Sequence, residues 1–118
     1  SDNAILLNNL AWLYSQKGDQ RALGIARRAH ESAPESAEIS DTLGWLLVEN
    51  GKSEEALPYL KKAASELKDN GLVQYHLGVA EFNLGHSSEA RLALKAALAV
   101  GGADLPEAEV RKTLQLLD

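Results

Sequence analysis

The side chains able to do chemistry in this chain are three histidines, a few serines and many carboxylates, and their spacing argues against catalysis. His30, His76 and His86 are scattered, with no His-x-x-x-His pair and no carboxylate companion at metal-ligand spacing. Ser87 follows His86, yet Gly85-His86-Ser87-Ser88-Glu89 lacks the Gly-x-Ser-x-Gly turn that presents a nucleophile. The glycines punctuate helices and form no phosphate-cradling loop. Neither a cofactor nor a metal is expected. Binding is better served: Asn8 and Asn9 precede Trp12, and Asp41 and Thr42 precede Trp45. Trp is a frequent contact anchor. Two readings fit the pair: an aromatic platform for a ligand, or packing between neighbouring helices. Asn8 and Asn9 likewise either hydrogen-bond a peptide backbone or solvate and cap the start of the first helix.

The elements that position these residues repeat. Gly44 and Gly78 lie 34 residues apart, as do Gly51 and Gly85, Ala56 and Ala90, and Ala63 and Ala97. A fixed period of this size means one supersecondary unit used repeatedly. The units run 4–36, 37–70 and 71–104. The first is one residue short: Leu10, Trp12, Leu13 and Gly18 match the second unit at an offset of 33, while Ala22 and Ala29 match at 34. The deletion falls in the turn, where it costs least. Gly18, Gly51 and Gly85 each follow an apolar-periodic run, as a left-handed C′ residue does. Ser36, Ser53 and Ser87 are read as N-caps, and Pro34 as a helix stop. Gly44 and Gly78 sit mid-helix, where close approach to Ala56/Ala63 and Ala90/Ala97 is expected. Residues 105–118 read as a capping helix starting near Asp104, with Val110, Leu114 and Leu117 on one stripe. The expectation is an all-α solenoid: three helical hairpins and a cap, seven helices in one domain spanning 1–118.

Composition agrees. Leu and Ala make up about a third of the 118 residues, a helix-former bias. A net charge of −5 argues against nucleic acid, because phosphate contacts need a basic surface. The most apolar stretch, 92–100, is broken by Lys95 and is too short to span a membrane. Without cysteine there is no disulfide or thiolate site. Methionine is absent even at position 1, so the sequence reads as a processed or excised piece, its start at 1–4 including an appended scar. Ile5, Leu6, Leu7, Leu10 and Leu13 make the first helix apolar on more than one face. This reads as a surface that upstream repeats once covered, and predicts self-association through it.

Leu43-Gly44, Gly51, Ala56, Leu60 and Ala63, with their equivalents in the third unit, resemble the tetratricopeptide repeat family over nearly the whole chain. Asn8-Asn9-Leu10-Ala11-Trp12-Leu13 and Asp41-Thr42-Leu43-Gly44-Trp45-Leu46, followed by Glu55-Ala56-Leu57-Pro58, are similar to the C-terminal repeats of bacterial repeat lipoproteins of the PEP-CTERM/exosortase protein-sorting and exopolysaccharide system. That narrower resemblance implies an exported chain, periplasm-facing or membrane-anchored through a region upstream; a cytoplasmic chain is the alternative. Two positions depart from the family pattern: Glu81 replaces a large apolar residue and is expected to pair with Arg111, and Gly102 stands where proline is common.

In the family the first helix of each unit lines a concave groove. Carried over, the groove residues are Asn8, Asn9, Trp12, Asp41, Thr42, Trp45, Tyr75, His76 and Phe82. The first helices carry no Arg and only Lys17, at the extreme end, so the family's basic clamp for a partner's C-terminal carboxylate is not expected. Arg21, Arg27, Arg28, Lys61, Lys62, Arg91 and Lys95 lie on the second helices instead. An acidic, aromatic groove favours a neutral or basic peptide. The function expected is therefore a non-catalytic protein-interaction scaffold; the alternative is a structural spacer or self-association element of a longer solenoid.

Overall fold

A computed structural model describes residues 2–118. Seven α-helices follow one another without a strand among the described residues: α1 (Asp2–Gln16), α2 (Ala22–Ser32), α3 (Ala37–Glu49), α4 (Ser53–Glu66), α5 (Gly71–Asn83), α6 (Ser87–Val100) and α7 (Glu107–Leu117). α1, α3 and α5 each pair with the next helix as an antiparallel hairpin, and each hairpin's second helix packs on the helix that follows it, α6 on the cap helix α7. The result is an elongated all-α solenoid of 42 × 26 × 24 Å.

The same turn closes α1, α3 and α5. Gly51 adopts φ 76°; its N–H bonds to Val48 O, and the Lys52 N–H reaches Leu47 O at 2.8 Å. That six-to-one closure is a Schellman motif, which needs a residue without a Cβ at the left-handed position. Gly18 and Gly85 repeat it at φ 68° and 78°. The one-residue deletion in the first unit therefore leaves the closure intact.

N-capping differs from expectation. Ser36 Oγ accepts from Ile39 N–H at 3.2 Å and caps α3, while Asn70 Oδ1 caps α5 by accepting from Val73 N–H at 3.0 Å. Ser53 and Ser87 do not cap. They are the first helical residues, and Lys52 and His86 hold the cap positions with no side-chain bond. The Schellman turn brings the chain into the helix one residue early, so Ser53 Oγ is free to accept from Asn83 Nδ2 at 3.0 Å. The cap helix begins at Glu107, later than Asp104 suggested, with Pro106 at its N-cap position.

Gly44 and Gly78 do mark close helix approach, but their neighbours are leucines. A Cβ at Gly44 would lie 2.6 Å from Cγ and Cδ2 of Leu60, and one at Gly78 would lie 2.6 Å from Cδ2 of Leu94. The large residue comes from the second helix and the glycine opposite makes room for it, so Leu60 and Leu94 are fully buried. Leu43, Leu46, Leu47 and Leu60 centre the main core, with Ala22, Ala26 and Ala56 around them. At the far end Val110, Leu114 and Leu117 of α7 close over Leu94 and Ala97, and Arg91 Nη2 donates to Leu117 O at 2.7 Å. Glu81 is buried and bonds His86 Nδ1 at 2.7 Å. Arg111 pairs instead with Glu107 on its own helix at 3.0 Å.

Candidate functional site

First helices pack on first helices: α1 on α3 and α3 on α5, while α2 and α4 stand farther apart. A stack whose first helices are closer together curves with those helices inside. The groove positions on α1, α3 and α5 therefore share the concave surface.

Six of the nine expected residues converge there. His76 is at the centre. Its ring stacks on Trp45 with centroids 4.2 Å apart and planes 17° from parallel. Trp12 lies 6.5 Å away on one side and Tyr75 6.0 Å on the other, and Tyr75 also meets Trp45 at 5.8 Å. His76 Nδ1 donates to Asp41, whose carboxylate oxygens lie 2.9 and 3.1 Å away. Trp12 Nε1 donates to Thr42 Oγ1 at 2.9 Å, and Thr42 Oγ1 donates to Glu38 O at 3.1 Å. Buried polar groups have to be partnered, and here the partners come from α1, α3 and α5 in turn. One polar and aromatic network thus ties three consecutive hairpins together.

The network splits the expected residues into two layers. Asp41, Thr42 and His76 are buried, so they hold the floor. Trp12, Trp45 and Tyr75 are half-exposed and form the surface above it. The platform and packing readings of the tryptophans therefore describe two sides of the same rings. Asn9 is exposed; Asn8 is half-buried, with its Oδ1 covered and without a hydrogen-bond partner. Phe82 is half-buried toward the end of α5, outside the His76 cluster.

Charge follows the same geometry. Glu38, Glu49 and Glu109 are exposed. Among the described residues none of them forms an ion pair with a cation. On the second helices Glu55 and Glu66 pair with Arg27 and Lys62 at 2.7 and 2.5 Å, while Glu31, Glu54 and Glu89 are exposed there without an ion pair among the described residues. Ser15 Oγ donates to Glu49 at 3.0 Å, which orients that carboxylate without neutralising it. Burial, and to a smaller degree the charge of Glu109, raises the Tyr75 hydroxyl above its ordinary pKa.

Sequence reasoning placed His76 in the groove but missed its bond to Asp41. The two residues are 35 apart, one more than the period, so the bond runs diagonally between hairpins. Matching equivalent positions pairs Asp41 with Tyr75 and passes over the true partner. Glu109 was also missed, because the cap helix was read only as a cover.

No curated protein matches the sequence. The sequence profile of the tetratricopeptide repeat matches residues 47–109, a little over half of the chain. Among solved structures, MamA of AMB-1 superposes with a TM-score of 0.83 at 27% identity, over 99% of this chain and 68% of that one. MamA of MSR-1 gives 0.80 at 28%, over 97% of this chain and 64% of that one; the chain spans about two thirds of the length of these MamA structures. The Yersinia enterocolitica type III secretion chaperone SycD, in complex with a peptide of the translocator YopD, gives 0.80 at 20%, over 99% of this chain and 93% of that one. The first repeat domain of Spaghetti (RPAP3), bound to an HSP90 peptide, gives 0.83 at 18%, over 99% of this chain and 94% of that one. At that identity the last two speak to fold alone. Profile, helical order and superposition agree: the chain belongs to the tetratricopeptide repeat family.

Proposed function

We propose that this chain is a non-catalytic interaction scaffold that holds a neutral or basic peptide segment in its concave groove. The observation that carries the reading is the half-exposed aromatic row Trp12, Trp45 and Tyr75, fixed from below by the Asp41–His76 pair and bordered by the unpaired carboxylates Glu38, Glu49 and Glu109. Rigid aromatic faces bind with little loss of side-chain entropy, and a cation over such a face gains further. Two structures that share the fold hold peptides, which supports peptide capture as the kind of work. On this reading Asn9 and Phe82 extend the contact toward the two ends of the groove. The three hairpins 4–36, 37–70 and 71–104 act as one unit, with 105–118 as its cap. The wording around both tryptophans supports a setting in bacterial protein sorting and exopolysaccharide export.

Screening a peptide array of varied charge tests this. Glu38→Lys, Glu49→Lys and Glu109→Lys together should abolish capture of basic peptides while circular dichroism stays unchanged. Capture that favours acidic peptides, or is indifferent to the three substitutions, sinks the reading.

A spacer or self-association role is the second reading. It draws on a different observation, the uncovered apolar row on α1. Light scattering across a concentration series distinguishes the two, since a scaffold working through its groove stays monomeric.

A further inference from the structure

The outer edge of the first hairpin is built like a surface that is covered everywhere else in the molecule. Leu6, Leu10 and Leu13 share one stripe of α1 and are 65%, 36% and 53% exposed. Their equivalents on α3 are Ile39, Leu43 and Leu46, at 4%, 1% and 1%. What covers those is α2: Ile39 clusters with Ala29 and Ala33, and Leu43 and Leu46 cluster with Ala22 and Ala26. The covering helix presents small residues in a stripe, which lets two axes come close. The joint recurs between α4 and α5, where Ala63 and Ala64 cover Val73.

The second helices carry a matching polar joint. Arg27 of α2 pairs with Glu55 of α4, His30 meets the Tyr59 ring edge-on at 5.0 Å, and Lys62 donates to Glu35 O. On the outer edge the equivalents of Glu55, Tyr59 and Lys62 are Arg21, Ile25 and Arg28. The charge at the first position is reversed. Leu10, Tyr14, Arg21, Gly24, Ile25 and Arg28 line one open cleft, and Lys17, one residue past the end of α1, lies near Asp19 beside it. Among the described residues Asp19 bonds Arg21 and Glu31 lies exposed one turn beyond Arg28, two carboxylates against three cations. The edge is therefore an apolar row with a net positive border.

That border decides the occupant. Two copies meeting edge to edge would bring Lys17, Arg21 and Arg28 against their own kind, and a helix like α2 would set Arg27 opposite Arg21. The geometry points to a docking site for another helical hairpin, whose second helix carries a small-residue stripe and a carboxylate where α2 carries Arg27. The site continues an interface the fold already uses twice, with the polarity of the Arg27–Glu55 salt bridge of its first use inverted. It stands independently of the groove, which lies on a different face.

The test copies residues 4–36 and fuses the copy in register ahead of Ala4, the equivalent of Ala37. One version is unaltered and the other carries Arg27→Glu in the copy. Hydrogen exchange of the α1 amides should slow about tenfold more with the Arg27→Glu copy than with the unaltered one, and its Tm should be the higher. Adding Arg21→Glu in the receiving hairpin should reverse the order and make the unaltered copy the better cover. Equal protection by both copies, or no reversal, overturns the charge rule, and so does failure of either copy to protect α1. A dimer of the unfused protein that Leu10→Glu dissociates also overturns it, because a second copy then suffices. Capture of basic peptides in the groove, measured on the same proteins, should not change.

Discussion

The Trp45 indole lies flat on the His76 imidazole, 4.2 Å between centroids, joining α3 to α5 directly beneath the groove surface. The imidazole also bonds Asp41, so one buried ring fixes both an aromatic face and a carboxylate. Position in the stack matters: His76 belongs to the third hairpin, and both of its partners to the second. The floor of the groove is therefore a joint between repeats, and whatever loosens it loosens the surface above.

Replacing His76 with Ala leaves Asp41 buried without its donor, a loss of about 1–3 kcal/mol, and removes the stacked ring, worth about 0.5–1.5 kcal/mol more. Asp41→Ala in the same background should add little, because its partner is already gone. Urea unfolding of the two single variants and the double variant measures this. Additive losses would mean that the pair does not act as a unit.

How much of this was legible depended on whether a feature repeats at equal spacing. Gly18, Gly51 and Gly85 fall in one register and mean the same thing each time, so helix number, helix order and the Schellman closures could be read directly. Diagonal contacts break register: Asp41 with His76, and Glu81 with His86 across a turn. The expected pair of Glu81 with Arg111 fails because the true partner, His86, is a local one inside the turn, which is invisible to helix-face reasoning. Ser53 shows the other limit. Its sequence context is that of a cap, and only the early helix entry after Gly51 shows that the hydroxyl is spent elsewhere.

Ser36→Ala and Ser53→Ala should therefore behave differently despite their similar surroundings. The first removes a cap and costs about 1 kcal/mol wherever it is measured. The second acts through Asn83, so its cost should shrink in an Asn83→Ala background. A cost for Ser53→Ala that ignores Asn83 would restore the cap assignment.

Asp19 holds the α1–α2 turn. Hydrogen bonds from the Arg21 side chain, then from its backbone N–H, bring the carboxyl from 3.8 down to about 2, and the same guanidinium lies 4.4 Å over the Tyr14 ring. A depressed carboxyl stabilises above its unfolded pKa and loses that contribution as pH falls through the folded one. The turn should thus keep this interaction in mild acid and release it between about pH 4 and pH 2. A carboxyl NMR titration should show the Asp19 midpoint near 2, rising in Arg21→Ala toward, but not fully to, the ordinary carboxylate range, because the backbone N–H of residue 21 still donates. A midpoint that Arg21→Ala leaves unmoved would show that the guanidinium is not the cause.

Gly24, in the first turn of α2, and Gly44, in the middle of α3, should respond to alanine in opposite directions. Nothing lies within 4 Å of a Cβ at Gly24, so Gly24→Ala gains only helix propensity, about 1 kcal/mol at most. At Gly44 the same gain meets a Cβ 2.6 Å from Leu60. Leu60 is fully buried and its backbone N also lies 3.4 Å from that Cβ, and overpacking of this kind costs about 1–3 kcal/mol. Thermal melts should show Gly24→Ala above the parent protein and Gly44→Ala below it. Leu60→Ala should cost less when Gly44 is already alanine, since the added methyl then fills part of the space the leucine leaves. If Gly44→Ala stabilised the chain, the close approach of α3 and α4 would not depend on glycine, and the 34-residue spacing of Gly44 and Gly78 would need another cause.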